Sequence, residues 1–469
     1  MRIRLFGHYM HLPVVTLAIA EFTAFVLAVY AAVVLRLGTD HSSIVAENGA
    51  VWPRALVFGS SMTVCFLALG LYTTRQRAGA VGLGLRMIIA SMVATAALAT
   101  LFYAAPHMKL GRGVLLAALA ISLLAAVAAR IIASRVGALE GIKRRVLVYG
   151  SSVQLATFNR MRRRSDRAGY HLVGMVLHPG DADEPIDQLN DRVYQAPNGL
   201  RALCLELGID ELVVALQDRR QALPVKELLH CRLAGVSVVE FITFMERETG
   251  RIQLDLLNPS WIIFGQGFRR DGVRLFTARA LDFVASGVLL VIASPIMLLA
   301  MLAIWLDDGR KGGGVFYRQA RVGYEGKIFH LTKFRSMRVN AEAAGAQWAQ
   351  KNDPRVTRVG GFMRKTRIDE LPQLLNVLKG HMGFVGPRPE RPEFVVELES
   401  KIPFYAYRHS VKPGITGWAQ LCYPYGSSVE DAAQKLQYDL YYVKNHNLLF
   451  DITILLQTVE VVLMGKGAR

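Results

Sequence analysis

The chain has 469 residues, enough for two to four domains. Hydrophobic residues make up 52% and the mean hydropathy is +0.29, which excludes both an ordinary soluble protein and a chain wholly embedded in a membrane. A net charge of +18 directs the soluble parts at something anionic, and four scattered cysteines (Cys65, Cys204, Cys231, Cys422) without a C-x-x-C pair exclude a disulfide framework and a zinc site.

Four apolar stretches come first, about Leu12–Leu35, Val51–Leu71, Leu83–Ala105 and Val114–Ala133. Each approaches the ~20 residues that cross a ~30 Å hydrocarbon core. The first is too long for a cleavable signal peptide and has no clear small-residue cleavage site. Arg2 and Arg4 precede it, Arg75, Arg77 and Arg86 sit between the second and third, and Arg130, Arg135, Lys143, Arg144 and Arg145 follow the fourth. The two other loops carry Asp40, Glu47 and fewer basic residues, so both ends of the bundle are expected in the cytoplasm. Glu21 lies inside the first helix, where it is expected to face other helices or to be protonated.

The runs RRVLVYGSS, HLVGMVL, ELVVAL and VSVVEF follow, with a basic helical stretch to about Arg167 after the first. Strands alternating with helices predict a small parallel α/β domain. Its first turn, Gly150-Ser151-Ser152, is not G-x-G-x-x-G, and the second strand ends Leu177-His178-Pro179 with no acid for a ribose. A vestigial or regulatory Rossmann-like domain is therefore expected rather than a dinucleotide site.

Leu281–Leu306 is long enough to span a membrane. Arg269, Arg270, Arg274 and Arg279 precede it and Arg310, Lys311, Arg318 and Arg321 follow, which favours both ends on one face. Pro295 removes a helix hydrogen bond near the middle, and Ser294 can serve the freed carbonyl. The prediction is a helix-break-helix that enters the bilayer and returns. The final run, NLLFDITILLQTVEVVLMGKGAR, is interrupted by Asp451, Gln457 and Glu460. It suits an interfacial helix or one packed on the preceding domain, and both remain open.

Between these membrane-directed segments, FYRQARVGYEGKIFHLTKFRSMR brings Arg318, Arg321, Lys327, Lys333, Arg335 and Arg338 into a region that reads as a hairpin with a turn at Gly323 and Gly326. Most such cations form a solvated face. Interleaved aromatics suit nucleic acid, but a chain with several membrane segments argues against that partner. RIDELPQLLNVL reads as a helix starting near Asp369, with Pro372 in its first turn. Arg364, Lys365 and Arg367 precede it, so the Asp369 pKa is expected to be depressed, leaving an ionised nucleophile or metal ligand. Glu370 adds a second hard oxygen for Mg²⁺ or a proton acceptor. Taken alone, the doublet is equally a pair of first-turn carboxylates bound to arginines. GFVGPRPERPEF adds Arg388, aimed by two prolines at a phosphate, and KPGITGWAQ a turn whose Trp418 packs or meets the membrane.

The Ser294-Pro295 break, KFRSM, DELPQLLNVLKG, GPRP, KPGITGWAQ and YDLYYVKN together resemble the monotopic phosphoglycosyl transferase superfamily, bacterial sugar transferases that start glycan assembly on a polyprenyl phosphate. The resemblance covers about Arg274 to Arg469, and the preceding spans and α/β domain look like its long, exopolysaccharide-associated subgroup. Leu421-Cys422-Tyr423 stands where many relatives carry Asn-Gly-Arg. The resemblance implies a membrane protein of α plus α/β class: four transmembrane helices (1–135), a Rossmann-like domain (143–246), a linker (247–275), a re-entrant hairpin (276–308) and a mainly α catalytic domain (309–469).

It further implies that Asp369 attacks the β-phosphate of a UDP-sugar, with UMP released and undecaprenyl phosphate as acceptor. Glu370 would bind Mg²⁺ with Asp369 or assist proton transfer. Lys333, Arg364, Arg388 and Asp439 match the family's basic and late acidic positions, and Arg335 and Arg367 join them as candidate substrate or phosphate ligands. Glucose is the sugar the subgroup suggests. Expected partners are the bilayer, a second copy in a homodimer and later glycosyltransferases of the pathway, with the catalytic domain on the cytoplasmic face of the inner membrane. Two rivals stay open at this point: a non-catalytic nucleotide-sugar-sensing assembly protein, and an NAD-dependent nucleotide-sugar dehydratase.

Overall fold

The computed structural model describes residues 2–5, 8–38, 50–72, 80–135, 144–150, 170–178, 193–216, 223–257, 272–307, 314–339, 341, 353–423, 426 and 428–463. The expected turn after Gly150 and the helical stretch to Arg167 lie outside these residues. The chain divides into two compact units, Met1–Phe244 and Met245–Arg469.

The first unit opens with a short antiparallel pair, β1 (Arg2–Leu5) and β2 (His8–His11). Four helices follow: α1 (Leu12–Leu37), α2 (Val51–Ala68), α3 (Ala80–Ala104) and α4 (Arg112–Arg135). Each contains a segment long and apolar enough to cross a membrane. Helix α1 packs on α4 and α2, and α2 packs on α3. Phe25, Ala55, Phe58, Met62 and Phe66 are fully buried while Leu35, Val64, Met92, Leu116 and Leu124 are exposed, an apolar outer face suited to hydrocarbon.

Glu21 takes the first of its two expected roles. It is fully buried and meets Arg130 of α4 twice, Nε to Oε1 at 2.8 Å and Nη2 to Oε2 at 3.1 Å. Arg130 Nη1 also donates to Leu71 O at 3.0 Å, so one guanidinium ties α1, α4 and the chain just past α2.

Strands β3 (Arg144–Gly150), β4 (Tyr170–Leu177), β5 (Glu211–Ala215) and β6 (Ser237–Glu240) form a parallel sheet in the order β4-β3-β5-β6. The near-continuous apolar runs of the two central strands, β3 and β5, are buried on both faces, as parallel pairing under helices requires. Helices α5 (Leu200–Glu206) and α6 (Val225–Leu233) add Leu203, Cys204, Leu228 and Cys231 to its core, and α7 (Phe241–Thr249) follows β6. All four cysteines are free.

In the second unit, α8 (Gly272–Asp307) is one helix with Pro295 inside it. The helical path is continuous where the sequence suggests a break. Pro295 cannot serve the Val291 carbonyl, but Ser294 Oγ donates to that oxygen at 2.8 Å and patches the ladder. One face of α8 lies along the unit over most of its length. Arg279 donates to Val377 O and Leu378 O at 2.7 and 2.6 Å, and Asp282 accepts from Phe384 N at 2.6 Å. Beyond these contacts, Ala293, Met297, Ala300 and Ile304 share a core with Phe334 and Met363. Much of the opposite side, including Val284, Val291, Leu298, Leu299 and Leu302, is exposed.

The expected hairpin is present as β7 (Phe316–Val322) paired antiparallel with β8 (Ile328–Phe334). Its turn places Gly326 at φ +75°, a conformation glycine adopts without strain. The rest comprises α9 (Arg358–Thr366), a 3₁₀ turn at Ile368–Glu370, α10 (Gln373–Leu378), β9 (Gly383–Val385), α11 (Pro392–Lys401), β10 (Gly414–Thr416), α12 (Trp418–Cys422), α13 (Val429–Asn445) and α14 (Leu448–Leu463). Trp418 is buried and donates to Gly250 O at 2.7 Å, so it packs rather than meeting a membrane. Asp451 and Ile454 of α14 are buried, and Thr458 Oγ1 lies 2.7 Å from Thr416 Oγ1, so α14 packs on the domain.

The Glu21–Arg130 pair generates the first prediction. Glu21→Gln leaves Arg130 charged and half-paired in an apolar bundle, at a cost of about 3–5 kcal/mol, and lowers the thermal midpoint measured in detergent. Glu21→Gln combined with Arg130→Met removes the stranded charge and recovers most of that loss.

Candidate functional site

Strands β9 and β10 pair in parallel, Gly383 with Gly414 and Val385 with Thr416. The pairing draws GPRP, which follows β9, against KPGITGWAQ, which contains β10. Gly386 N donates to Thr416 O at 2.9 Å and Gly414 N to Pro387 O at 3.0 Å. A Cβ on either glycine would collide with the facing backbone, so this close approach requires glycine at both.

The prolines of GPRP do not hold Arg388 alone. Its carbonyl accepts from Arg408 Nη2 at 2.9 Å, and Arg408 is buried, with Nε and Nη2 on Asp439 Oδ2 at 3.0 and 2.8 Å and Nη1 on Tyr405 Oη at 2.8 Å. The structure thus places Asp439 behind the loop, acting through Arg408, and not against the Asp369–Glu370 pair. Lone Arg408 between aromatics in FYAYRHS was missed by sequence reasoning. A cation among apolar positions was the available signal.

The Asp369–Glu370 pair is not in the first turn of α10. Arg367 adopts a left-handed conformation at φ +62°, ending α9 and opening the separate 3₁₀ turn that carries both carboxylates. Pro372 caps α10 itself. A left-handed arginine costs of order 1 kcal/mol, strain of the kind held at functional sites.

Three cations converge on one oxygen of Glu370: Oε1 lies 3.1 Å from Arg388 Nη2, 3.5 Å from Arg367 Nη1 and 3.7 Å from Lys333 Nζ. Lys333 comes from β8, Arg367 from the turn after α9, and Arg388 from the loop after β9. Arg388 Nη1 also donates to Gln420 Oε1 at 3.3 Å, a second contact residue that sequence reasoning passed over although GWAQ contains it. Arg364 lies near enough to act electrostatically on Asp369. Arg335 binds Val315 O through its backbone at 2.9 Å, and its Nη1 is buried with no hydrogen-bond partner among the described residues. It makes no contact with the pair among those residues.

The two carboxylates are tuned in opposite directions. Burial pushes the Asp369 carboxyl up, Glu370 adds to that, and Lys333, Arg364 and Arg367 only partly offset it. This corrects the expected depression: loss of solvent outweighs the cations that the sequence displays. Glu370 is also buried, but Arg388, Lys333 and Arg367 overcome that and hold it down to about 2. Burial brings Lys333 down to about 8, with Arg388 and Arg321 acting the same way against Glu370 and Asp369. Asp369 is buried with an Oδ1 that has no hydrogen-bond partner among the described residues. An acidic residue pair whose environments separate their titrations is suited to divided chemical roles.

Asp439→Asn removes the buried counter-charge of Arg408 and lowers the thermal midpoint, at a cost of about 3–5 kcal/mol. Arg408→Lys does not rescue wild-type stability, because an ammonium cannot reach Asp439, Tyr405 and the Arg388 carbonyl together. Thermal unfolding of both variants checks this.

Residues 273–465 match the family model described as bacterial sugar transferase. Over 343 residues the chain is 32% identical to the UDP-glucose:undecaprenyl-phosphate glucose-1-phosphate transferase of Xanthomonas campestris, covering 69% of this chain and 67% of that protein. It is 42% identical over 242 residues to the UDP-N-acetylgalactosamine-undecaprenyl-phosphate N-acetylgalactosaminephosphotransferase of Aeromonas hydrophila, covering 52% and 56% respectively. It is 40% identical over 200 residues to the UDP-glucose:undecaprenyl-phosphate glucose-1-phosphate transferase of Escherichia coli, covering 42% of each. The chain spans about half the length of these last two relatives. Lys333, Asp369, Glu370 and Arg388 all lie within the matched segment, and the chain belongs to the bacterial sugar transferase family.

Proposed function

We propose that the chain transfers a sugar 1-phosphate from a UDP-sugar to undecaprenyl phosphate through a covalent ester on Asp369. The observation that carries this reading is the buried Asp369 with its unpartnered Oδ1, next to a Glu370 fixed by three cations. An Asp369 oxygen attacks the β-phosphorus, the bond to the bridging α-phosphate oxygen breaks, and UMP leaves with the electron pair. A phosphate oxygen of undecaprenyl phosphate then attacks the same phosphorus. The P–O bond to Asp369 breaks, the free carboxylate returns, and the product is undecaprenyl-diphosphate-sugar.

Lys333, Arg367 and Arg388 spread positive charge where phosphoryl oxygens gain negative charge, and the Glu370 cluster fixes them before substrate arrives. A raised carboxyl pKa makes the ionised Asp369 a stronger nucleophile than a solvated aspartate. The donor set fits Mg²⁺. Asp369 Oδ1 is an orphaned hard oxygen, Glu370 lies beside it, and this ion takes one or two carboxylates together with water and substrate phosphates. Asp369 and Glu370 would hold it, and it would supply further charge neutralisation at the diphosphate. Proton transfer is not required of Glu370, which is held ionised.

The donor is proposed to be UDP-glucose, since the relative aligned over 343 residues is named for glucose. Others are named for N-acetylgalactosamine and galactose. The first membrane step of exopolysaccharide synthesis follows, with the product passed to later glycosyltransferases and a homodimer as the assembly. Helix α8 supports a bilayer placement with both of its ends on the cytoplasmic face of the inner membrane. Its two halves contact one basic unit, whereas a simple crossing would separate them by the membrane.

UMP release from a panel of UDP-sugars, with Mg²⁺ and undecaprenyl phosphate, tests the mechanism. Asp369→Asn is expected to lower release at least about 10³-fold, and the wild type to form an acid-labile phosphosugar adduct visible by mass. Equal release by wild type and variant would remove Asp369 from the chemistry.

The pH profile is a second test. Lys333 is charged below its lowered pKa of about 8 and neutral above it, so kcat/KM falls as pH rises through about 8. Lys333→Arg keeps its charge and moves this falling limb to higher pH, at a lower plateau because its geometry differs.

A further inference from the structure

The dyad does not account for all the basic surface of the second unit. Around the far end of α10 lies a cleft of about 600 Å³ whose lining includes Arg318, Lys327, Lys379, Lys412, His330 and His381. Among the described residues no carboxylate lines it. Lys327 pairs only loosely with exposed Glu325, 3.7 Å away. Lys379 and Gly380 of the cleft follow the C-terminal end of α10, whereas the dyad lies in the 3₁₀ turn before its start.

One wall of the cleft abuts the membrane-directed helix. Gly380 is left-handed at φ +82°, and a Cβ there would lie 3.6 Å from Arg279 Nη2 and 3.8 Å from Lys412 Nζ. Arg279 is itself pinned to the end of α10 through Val377 O and Leu378 O. On α8, Phe276 and Phe283 lie about one turn to either side of Arg279 and are 74% and 61% exposed. Ile328, in the cleft lining, is 63% exposed. The cleft therefore sits where exposed apolar side chains adjoin a cluster of cations that outnumbers its nearby carboxylates, Glu325 and Asp282, the combination that a phospholipid offers in reverse.

We propose that this cleft binds the phosphate of an anionic phospholipid headgroup, such as phosphatidylglycerol, at a site distinct from the Asp369–Glu370 centre. The assignment rests on the bilayer placement of α8 but uses none of the transfer chemistry. Arg318, Lys327, Lys379 and Lys412 converge on the phosphate, and a bound headgroup fixes the depth at which the β7–β8 hairpin meets the membrane surface.

The test uses the full chain in nanodiscs of phosphatidylcholine with a minor fraction of phosphatidylglycerol, counting retained lipids by native mass spectrometry. Wild type and Asp369→Asn are expected to retain phosphatidylglycerol in preference to phosphatidylcholine. Lys327→Gln/Lys379→Gln is expected to lose that preference roughly thirty-fold, with an unchanged thermal midpoint. Arg318→Gln, from the other side of the cleft, reports the same loss should the lysine pair misfold. Equal preference in wild type and these variants would overturn the assignment. So would binding of inorganic phosphate or UMP in detergent that the lysine variant abolishes while lipid preference stays intact, which would give the cleft to a soluble phosphate. Wild type that retains no lipid at all would instead refute the bilayer placement of α8.

Discussion

Glu370 Oε1 is the point on which the second unit is organised. Three segments far apart in sequence, the end of β8, the turn after α9 and the loop after β9, each deliver one cation to it. Remove that carboxylate and Lys333, Arg367 and Arg388 repel one another at close range in a partly desolvated site. With it present, the three are held together at little electrostatic cost, and their outward charge remains available to a diphosphate. The same arrangement leaves Asp369, one residue earlier, without a strong partner. One carboxylate organises the cations while its neighbour is buried with an oxygen that has no hydrogen-bond partner among the described residues.

Buried ion pairs recur in this chain, and each fastens elements whose packing does not fix them alone. Arg130 and Glu21 lock α4 to α1, Arg408 and Asp439 hold the Arg388 loop from behind, and Lys444 reaches Glu246 at 2.7 Å to seat the end of α7 on α13. Such pairs gain little net stability, because desolvation offsets the Coulomb term, but a wrong arrangement would strand a charge. Their contribution here is to geometry. Arg388 is aimed by two prolines, a carbonyl held by Arg408, and side-chain contacts with Glu370 and Gln420.

Helix α8 sets a long apolar surface beside that site. Its buried stripe, Ala293, Met297, Ala300 and Ile304, packs in the core that receives Ile368 and Leu371, the residues flanking the Asp369–Glu370 pair. The exposed stripe is mostly apolar, with Val284, Val291, Leu298, Leu299 and Leu302 on it. The residues flanking the carboxylate pair thus pack directly on a helix long and apolar enough to cross a membrane.

Much was legible in the sequence because it is local. The apolar spans, the parallel α/β alternation and the β7–β8 hairpin with its glycine turn follow from hydropathy period and turn chemistry, whereas Lys333, Asp369, Glu370 and Arg388 stand out through motifs that resemble the sugar transferase family. Three features did not, since each depends on what is distant in sequence and near in space. Asp369 looks ionised beside Arg364 and Arg367, yet burial raises its pKa, and burial is a property of the whole packed core. Pro295 predicts a break, yet a single hydroxyl from Ser294 carries the helix through. Asp439 reads as a ligand, yet Arg408, thirty-one residues away in sequence, captures it. The sequence by itself determined which elements form and which residue types carry the chemistry, because propensity and motif spacing act over a few residues. The tertiary structure decided which charges meet and which carboxylate is left without a partner, because Coulomb and desolvation terms depend on through-space distance.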